Sequence, residues 1–134
     1  MDRHQPGTDV PQKLFTLEEA NELIPKLRRL MMQIVDDREA LAVMQPDVTR
    51  ARQKAQQGGG TRHGMRYLQR LERFGAAAQT VEALGVIVKD YQIGLCDFPH
   101  IKNGRIVYLC WRMDEDKIRF WHDIEAGFAG RQPL

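Results

Sequence analysis

Cysteine is scarce in this chain. Cys96 and Cys110 are its two, and they lack the CxxC spacing of a redox or zinc motif. Two isolated thiols exclude a disulfide-stapled secreted scaffold and point to a reducing compartment. Long apolar runs are missing as well. No stretch approaches the length that crosses a bilayer, and the opening MDRHQPGTDVPQ is polar, without the apolar segment of a signal peptide. No membrane partner is expected, and the expected location is the cytoplasm. Net charge is low, at +2, so bulk electrostatics select no partner. The glycine-rich stretch QQGGGTRHG lacks the Lys-Ser/Thr pair and the preceding strand of a phosphate cradle. HxH and HExxH spacings are absent too, and no catalytic motif assigns a reaction.

What is present fits one domain, since 134 residues divided in two would leave both halves marginal. Residues 1–13, with Pro6, Gly7 and Pro11, read as a disordered tail, and 14–134 as a single domain. Structure starts at FTLEEANELIPKLRRLMMQIV. Thr16 with Glu19 three residues on is a capping box, and Glu18 and Glu19 suit the positive end of a helix dipole. Leu23, Leu27, Leu30, Ile34, Leu41 and Met44 form one apolar stripe, interrupted by Asp37. Pro25 removes the hydrogen bond to the Asn21 carbonyl, which predicts a kink or a restart. Pro46 predicts the end of the helix and a flexible loop over 46–64. A second stripe follows at Tyr67, Leu71, Phe74, Ala78, Val81, Gly85 and Val88. Together they predict an antiparallel helical hairpin over 16–88.

From Val86 the period changes to that of strands. Asn103-Gly104 is a type I′ hairpin signal, because both central residues of that turn need positive φ. Asp114 to Lys117 make a second polar turn. The expected fold is therefore α+β: a long antiparallel helical hairpin packed on a small three-stranded antiparallel meander within 89–134, with strands near 95–98, 105–112 and 118–123. A two-residue turn at Asn103-Gly104 pairs Phe98 with Leu109 and Asp97 with Cys110. Closing the second turn at Glu115-Asp116 pairs Leu109 with His122 and Cys110 with Trp121. That register puts Trp111, Phe120 and His122 on the core face. It puts Asp97, Tyr108, Cys110, Arg112 and Trp121 on the other.

Several residues carry chemistry. Asp97, His100, Cys110, Glu115, His122, Asp123 and Glu125 are nitrogen, oxygen and sulfur donors within one short region, yet none has ligand spacing. The expected register separates His122 from Asp97 and Cys110, which argues against a metal site and against a Cys–His nucleophile pair; Cys110 then reads as a small buried filler. Trp111 reads as a ring that fills the core. A face carrying Tyr108, Trp121, Arg112 and Arg119 suits a second subunit, where Tyr, Trp and Arg concentrate binding energy, or the stacking of single-stranded bases. Between Thr49 and Arg73, seven basic residues stand against the single acid Glu72, leaving +6. Arg50, Arg52, Lys54, Arg62 and Arg66 are accordingly candidate contacts to nucleic acid.

The segments LEEANELIP, GLCDFP, LCW, WH and GFAGRQPL together resemble a prokaryotic family, domain of unknown function 2203, from Phe15 to Leu134. The family has no established activity, so the resemblance implies no reaction. It implies a pattern that includes Asp97, Arg105, Cys110, Trp111, Glu115, Trp121, His122 and Arg131. Where this chain has MDED, the resemblance implies a glycine before the glutamate, so the turn around Glu115 departs from the family. A plain structural hairpin does not require so many polar positions. They suggest a polar pocket where the sheet edge meets the C-terminal loop, binding a small anion or a divalent metal. His122 would carry a proton there, with Asp97 and Glu115 as acceptors. Arg105 and Arg131 would anchor the anion, with Trp121 beside them. Asp97, Glu115 and His122 are the candidate metal ligands. The alternatives are a homodimerising structural protein and a nucleic-acid-binding one.

Overall fold

The computed structural model describes residues 13–56 and 62–134. The first helix, α1, spans Leu17–Gln56, and its start is the expected box. Glu19 N donates to the Thr16 hydroxyl at 3.0 Å, and Thr16 N donates to the Glu19 carboxylate at 2.9 Å. α1 does not restart at Pro25, nor does it end at Pro46; both prolines lie inside it. Each is on the exposed side of the helix, where loss of one backbone donor is tolerated more readily than against the core. Much of the loop expected over 46–64 is therefore helix, and residues 57–61 lie outside those described. So does the expected tail, up to residue 12.

The second helix, α2, spans Arg62–Ala83 and returns along α1. Two polar contacts fix how the helices lie side by side. Tyr67 donates its hydroxyl to Gln45 at 2.9 Å, and Arg70 donates to the Asp37 carboxylate, also at 2.9 Å. Asp37 is fully buried at this seam, with Arg73 at 3.8 Å as a further partner and its Oδ2 without a hydrogen bond.

The sheet has five strands where three are expected, in sequential antiparallel order. They are β1 (Ile87–Asp90), β2 (Leu95–Lys102), β3 (Arg105–Arg112), β4 (Phe120–His122) and β5 (Gln132–Pro133). β1 and β5 are too short to show an alternation of their own, and each is defined by pairing with a longer neighbour. The Asn103-Gly104 turn forms as expected, with φ of 53° and 81°. It sets the β2–β3 register, including Phe98 with Leu109 and Asp97 with Cys110.

The β3–β4 register differs from expectation by one residue. Tyr108 pairs with His122, Leu109 with Trp121 and Cys110 with Phe120. The connection is not a two-residue turn centred on Glu115-Asp116. It is a longer link stitched to distant parts of the chain, in which Ile118 N donates to the Asn21 side chain on α1 and Arg28 donates to the Glu115 carbonyl. A one-residue slip exchanges the two faces of a strand. Trp121 therefore joins the helix side, and His122 turns to the opposite side.

The core lies between the helices and that first face. Ala20, Ile24, Leu27, Met31 and Ile34 of α1 and Ala77 and Val81 of α2 cover Phe98, Val107, Leu109, Trp111 and Trp121. Phe15 meets Phe98 edge to face, with ring centroids 5.2 Å apart. Trp111 is fully buried and donates its indole N–H to the Glu115 carbonyl at 2.9 Å, so it is a core residue with its one polar group satisfied.

Candidate metal centre

The face turned away from the helices brings together three donors, one from each of three neighbouring strands. Asp97 projects from β2, Cys110 from β3 and His122 from β4, since Asp97 pairs with Cys110 and β4 follows β3 at the shifted register. Their ligand atoms all lie within 4.8 Å of one another. The three are 1%, 0% and 2% exposed, so water solvates none of them. A buried carboxylate needs compensation, and here the imidazole provides it. His122 Nε2 lies 3.1 Å from each oxygen of Asp97.

The ring's other nitrogen settles the hydrogen pattern. Nδ1 is 2.7 Å from the Asp123 carbonyl, which accepts only, so Nδ1 carries a hydrogen. Nε2 is then the nitrogen that is bare in the neutral ring, and it points at a carboxylate. One proton held between Nε2 and Asp97 completes the contact, on either partner. Burial pushes the Asp97 carboxyl above its usual range, opposed by the nearby imidazole. Burial also pushes the Cys110 thiol up to about 12, with the Asp97 charge adding to the rise and Arg131 opposing it. Tyr108, whose ring meets that of His122 edge to face, is raised for the same two reasons, burial first and then Asp97.

A second polar group adjoins the first. Arg131 donates to the Cys110 carbonyl at 3.2 Å and to Glu115 at 2.7 Å, with its guanidinium 4.2 Å from the Phe120 ring centre and 4.8 Å from that of Phe128. The same Glu115 oxygen accepts from Arg112 N at 2.7 Å. Glu115 and Arg131 thus close the link after β3 over the C-terminal segment. Their charges answer each other, which leaves neither committed to an anion or a cation.

Of the expected site residues, Asp97 and His122 meet directly, and Glu115 meets Arg131 alongside them. Arg105 stands apart, in an exposed ion pair with Asp123. Trp121 is 8% exposed on the helix side and is no part of the site. Tyr108 and Trp121 consequently do not share a face, which removes the stacking platform and the aromatic dimer face that depended on it. His100 bonds the Phe15 carbonyl at 2.7 Å and secures the N-terminal segment to the sheet. Cys110, expected as a filler, is the third donor. Its signal was its pairing with Asp97 across a register that the Asn103-Gly104 turn already specified.

The fold and site define an α+β protein in which a helical hairpin covers one face of an antiparallel meander and a buried Asp–Cys–His cluster occupies the other. The chain belongs to the family of uncharacterized conserved proteins DUF2203, whose model matches residues 13–134. No curated protein and no solved structure matches it. Among the described residues, no helix is long and apolar enough to cross a membrane.

Proposed function

We propose that the protein is a metal-binding module that holds one thiophilic divalent cation, of the zinc or cobalt class, through Asp97, Cys110 and His122. The observation that carries this reading is the convergence of a carboxylate, a thiol and an imidazole within 4.8 Å. Nitrogen and sulfur donors favour zinc-like ions over magnesium or calcium, which take oxygen. Charge supports it as well. A carboxylate, a thiolate and a neutral imidazole sum to −2, so a divalent cation leaves the buried group neutral. The cation would replace the proton between Nε2 and Asp97 and displace the thiol proton. The hydrogen bond from Nδ1 to the Asp123 carbonyl holds the ring with Nε2 facing inward, as outer-shell carbonyls do for metal-bound histidines.

A nucleophilic cysteine is less well supported. Both His122 nitrogens are engaged, one by Asp97 and one by a carbonyl, so neither is left to take the Cys110 proton. A thiol pushed up to about 12 is a poor nucleophile but an adequate ligand once a cation drives off its proton. Adding cobalt(II) to the metal-free chain tests the reading. One equivalent should produce a thiolate-to-cobalt absorption band, which Cys110→Ser should abolish while leaving the fold intact. Absence of the band, together with a melting temperature unmoved by zinc, would discard the proposal.

A further inference from the structure

We propose that the far half of the helical hairpin is an arm that docks on the phosphate backbone of a double-stranded nucleic acid. Beyond Asp37 on α1 and before Ala77 on α2, no residue is buried among those described. From Asp37 to the end of α1 at Gln56 the helix extends roughly 28 Å, at about 1.5 Å per residue. Apart from Phe74 at its base, which packs against the core, this part of the hairpin adds no residue to the core among those described.

Its charge is sorted from that of the rest. Residues 49–73 carry +6 in a chain whose total is +2, which leaves −4 for everything else. Two of those cations, Arg70 and Arg73, are used at the base of the arm by Asp36 and Asp37. Farther out, Arg52 and Arg66 are exposed. The contact between Gln45 and Tyr67 sets the register of the two helices. Counting outward from it puts Arg50 level with Arg62, so both helices bring basic residues to the same end. A basic rod remote from the acidic body suits a polyanion, because its own body does not compete for the charge.

The choice of duplex follows from what the arm carries besides charge. Its two aromatic residues are both engaged: Tyr67 donates its hydroxyl to Gln45, and Phe74, at the base, packs against the core beside Tyr91. Proteins that prefer single strands stack bases on exposed rings, and the arm offers none. Contact is then limited to phosphates, which carry no sequence information and are densest on a duplex, about one charge per 1.7 Å of axis. This surface is remote in the chain from Asp97, Cys110 and His122, so it stands or falls independently of the metal reading.

Fluorescence anisotropy of the full chain against a labelled duplex, over a series of salt concentrations, tests the proposal. Duplexes of unrelated sequence should bind alike and weaken steeply with salt. Neutralising Arg50→Gln, Arg52→Gln and Arg66→Gln together should weaken binding at low salt at least tenfold. It should also flatten the plot of log affinity against log salt by about 0.9 for each phosphate no longer neutralised. The matching triple replacement by Lys keeps the charge and should keep the binding, which guards against misreading a folding defect. The idea is overturned by failure to bind duplex at low salt, by unchanged binding in the Gln variant, or by abolished binding in the Lys variant. A preference for the single strand, or for phosphatidylserine vesicles over duplex, would overturn it equally.

Discussion

At His122, the partner of each ring nitrogen decides what the residue can do. A carbonyl on one side and a carboxylate on the other make it the partner that chiefly offsets the burial of an acid. Removing it leaves Asp97 in a low-dielectric interior with no cation in contact, Lys89 acting only at longer range. His122→Ala should therefore cost about 3 to 5 kcal/mol of stability at neutral pH, read from urea unfolding monitored by tryptophan fluorescence. A loss below about 1 kcal/mol would mean that Asp97 is solvated or paired some other way. Trp111 is legible from its place in an alternating strand beside a clear turn, and it fills the core as expected. Trp121 and His122 are not, because adjacent residues on a short strand exchange faces with a single step of register, and their composition favours neither arrangement.

At the level of elements, legibility tracks how local the determinants are. The first helix start is written in two residues three apart, and the Asn103-Gly104 turn in two neighbours, so both appear where the sequence puts them. The second connection depends on Asn21, Arg28 and Arg131, which come from the far ends of the chain, and no local pattern announces them. Local signals alone therefore separate donors that the folded chain brings together. The helix start makes a pH-dependent prediction. The Glu19 carboxyl is held below the usual carboxylate range, chiefly by the backbone N–H of Thr16 and then by Lys13. Its folded pKa lies below its unfolded one, so its contribution is complete above the unfolded value and is lost as the pH falls through the folded one. Melting temperatures of Glu19→Gln and the parent should differ at pH 7 and converge in acid, once the pH has fallen through the folded value. A difference that persists in acid would show that charge is not what the carboxylate supplies.

Across the whole molecule, burial and charge are divided between two ends. The sheet and the helix segments against it hold the buried residues, while the outer hairpin holds the excess of positive charge and, among the described residues, no fully buried side chain. Amide hydrogen exchange should follow that division, slow at Ile24 to Ile34 and in β2 and β3, and fast along α1 past Asp37. Uniformly slow exchange along α1 would mean that something in solution covers the outer half. The helical hairpin and the antiparallel meander are both legible, because stripes and turns are periodic signals. The length of the outer hairpin is not, because Pro46 reads as a terminator unless its exposed side is known. An outer segment that nothing packs against has a further consequence for descent. Insertions of about seven residues, two turns, matched in both helices would lengthen it without rotating its surface or disturbing the interior. Differences in length among family members should therefore gather there, while the stretch from Met113 to Arg119, where one added residue would turn the imidazole inward, should keep its size.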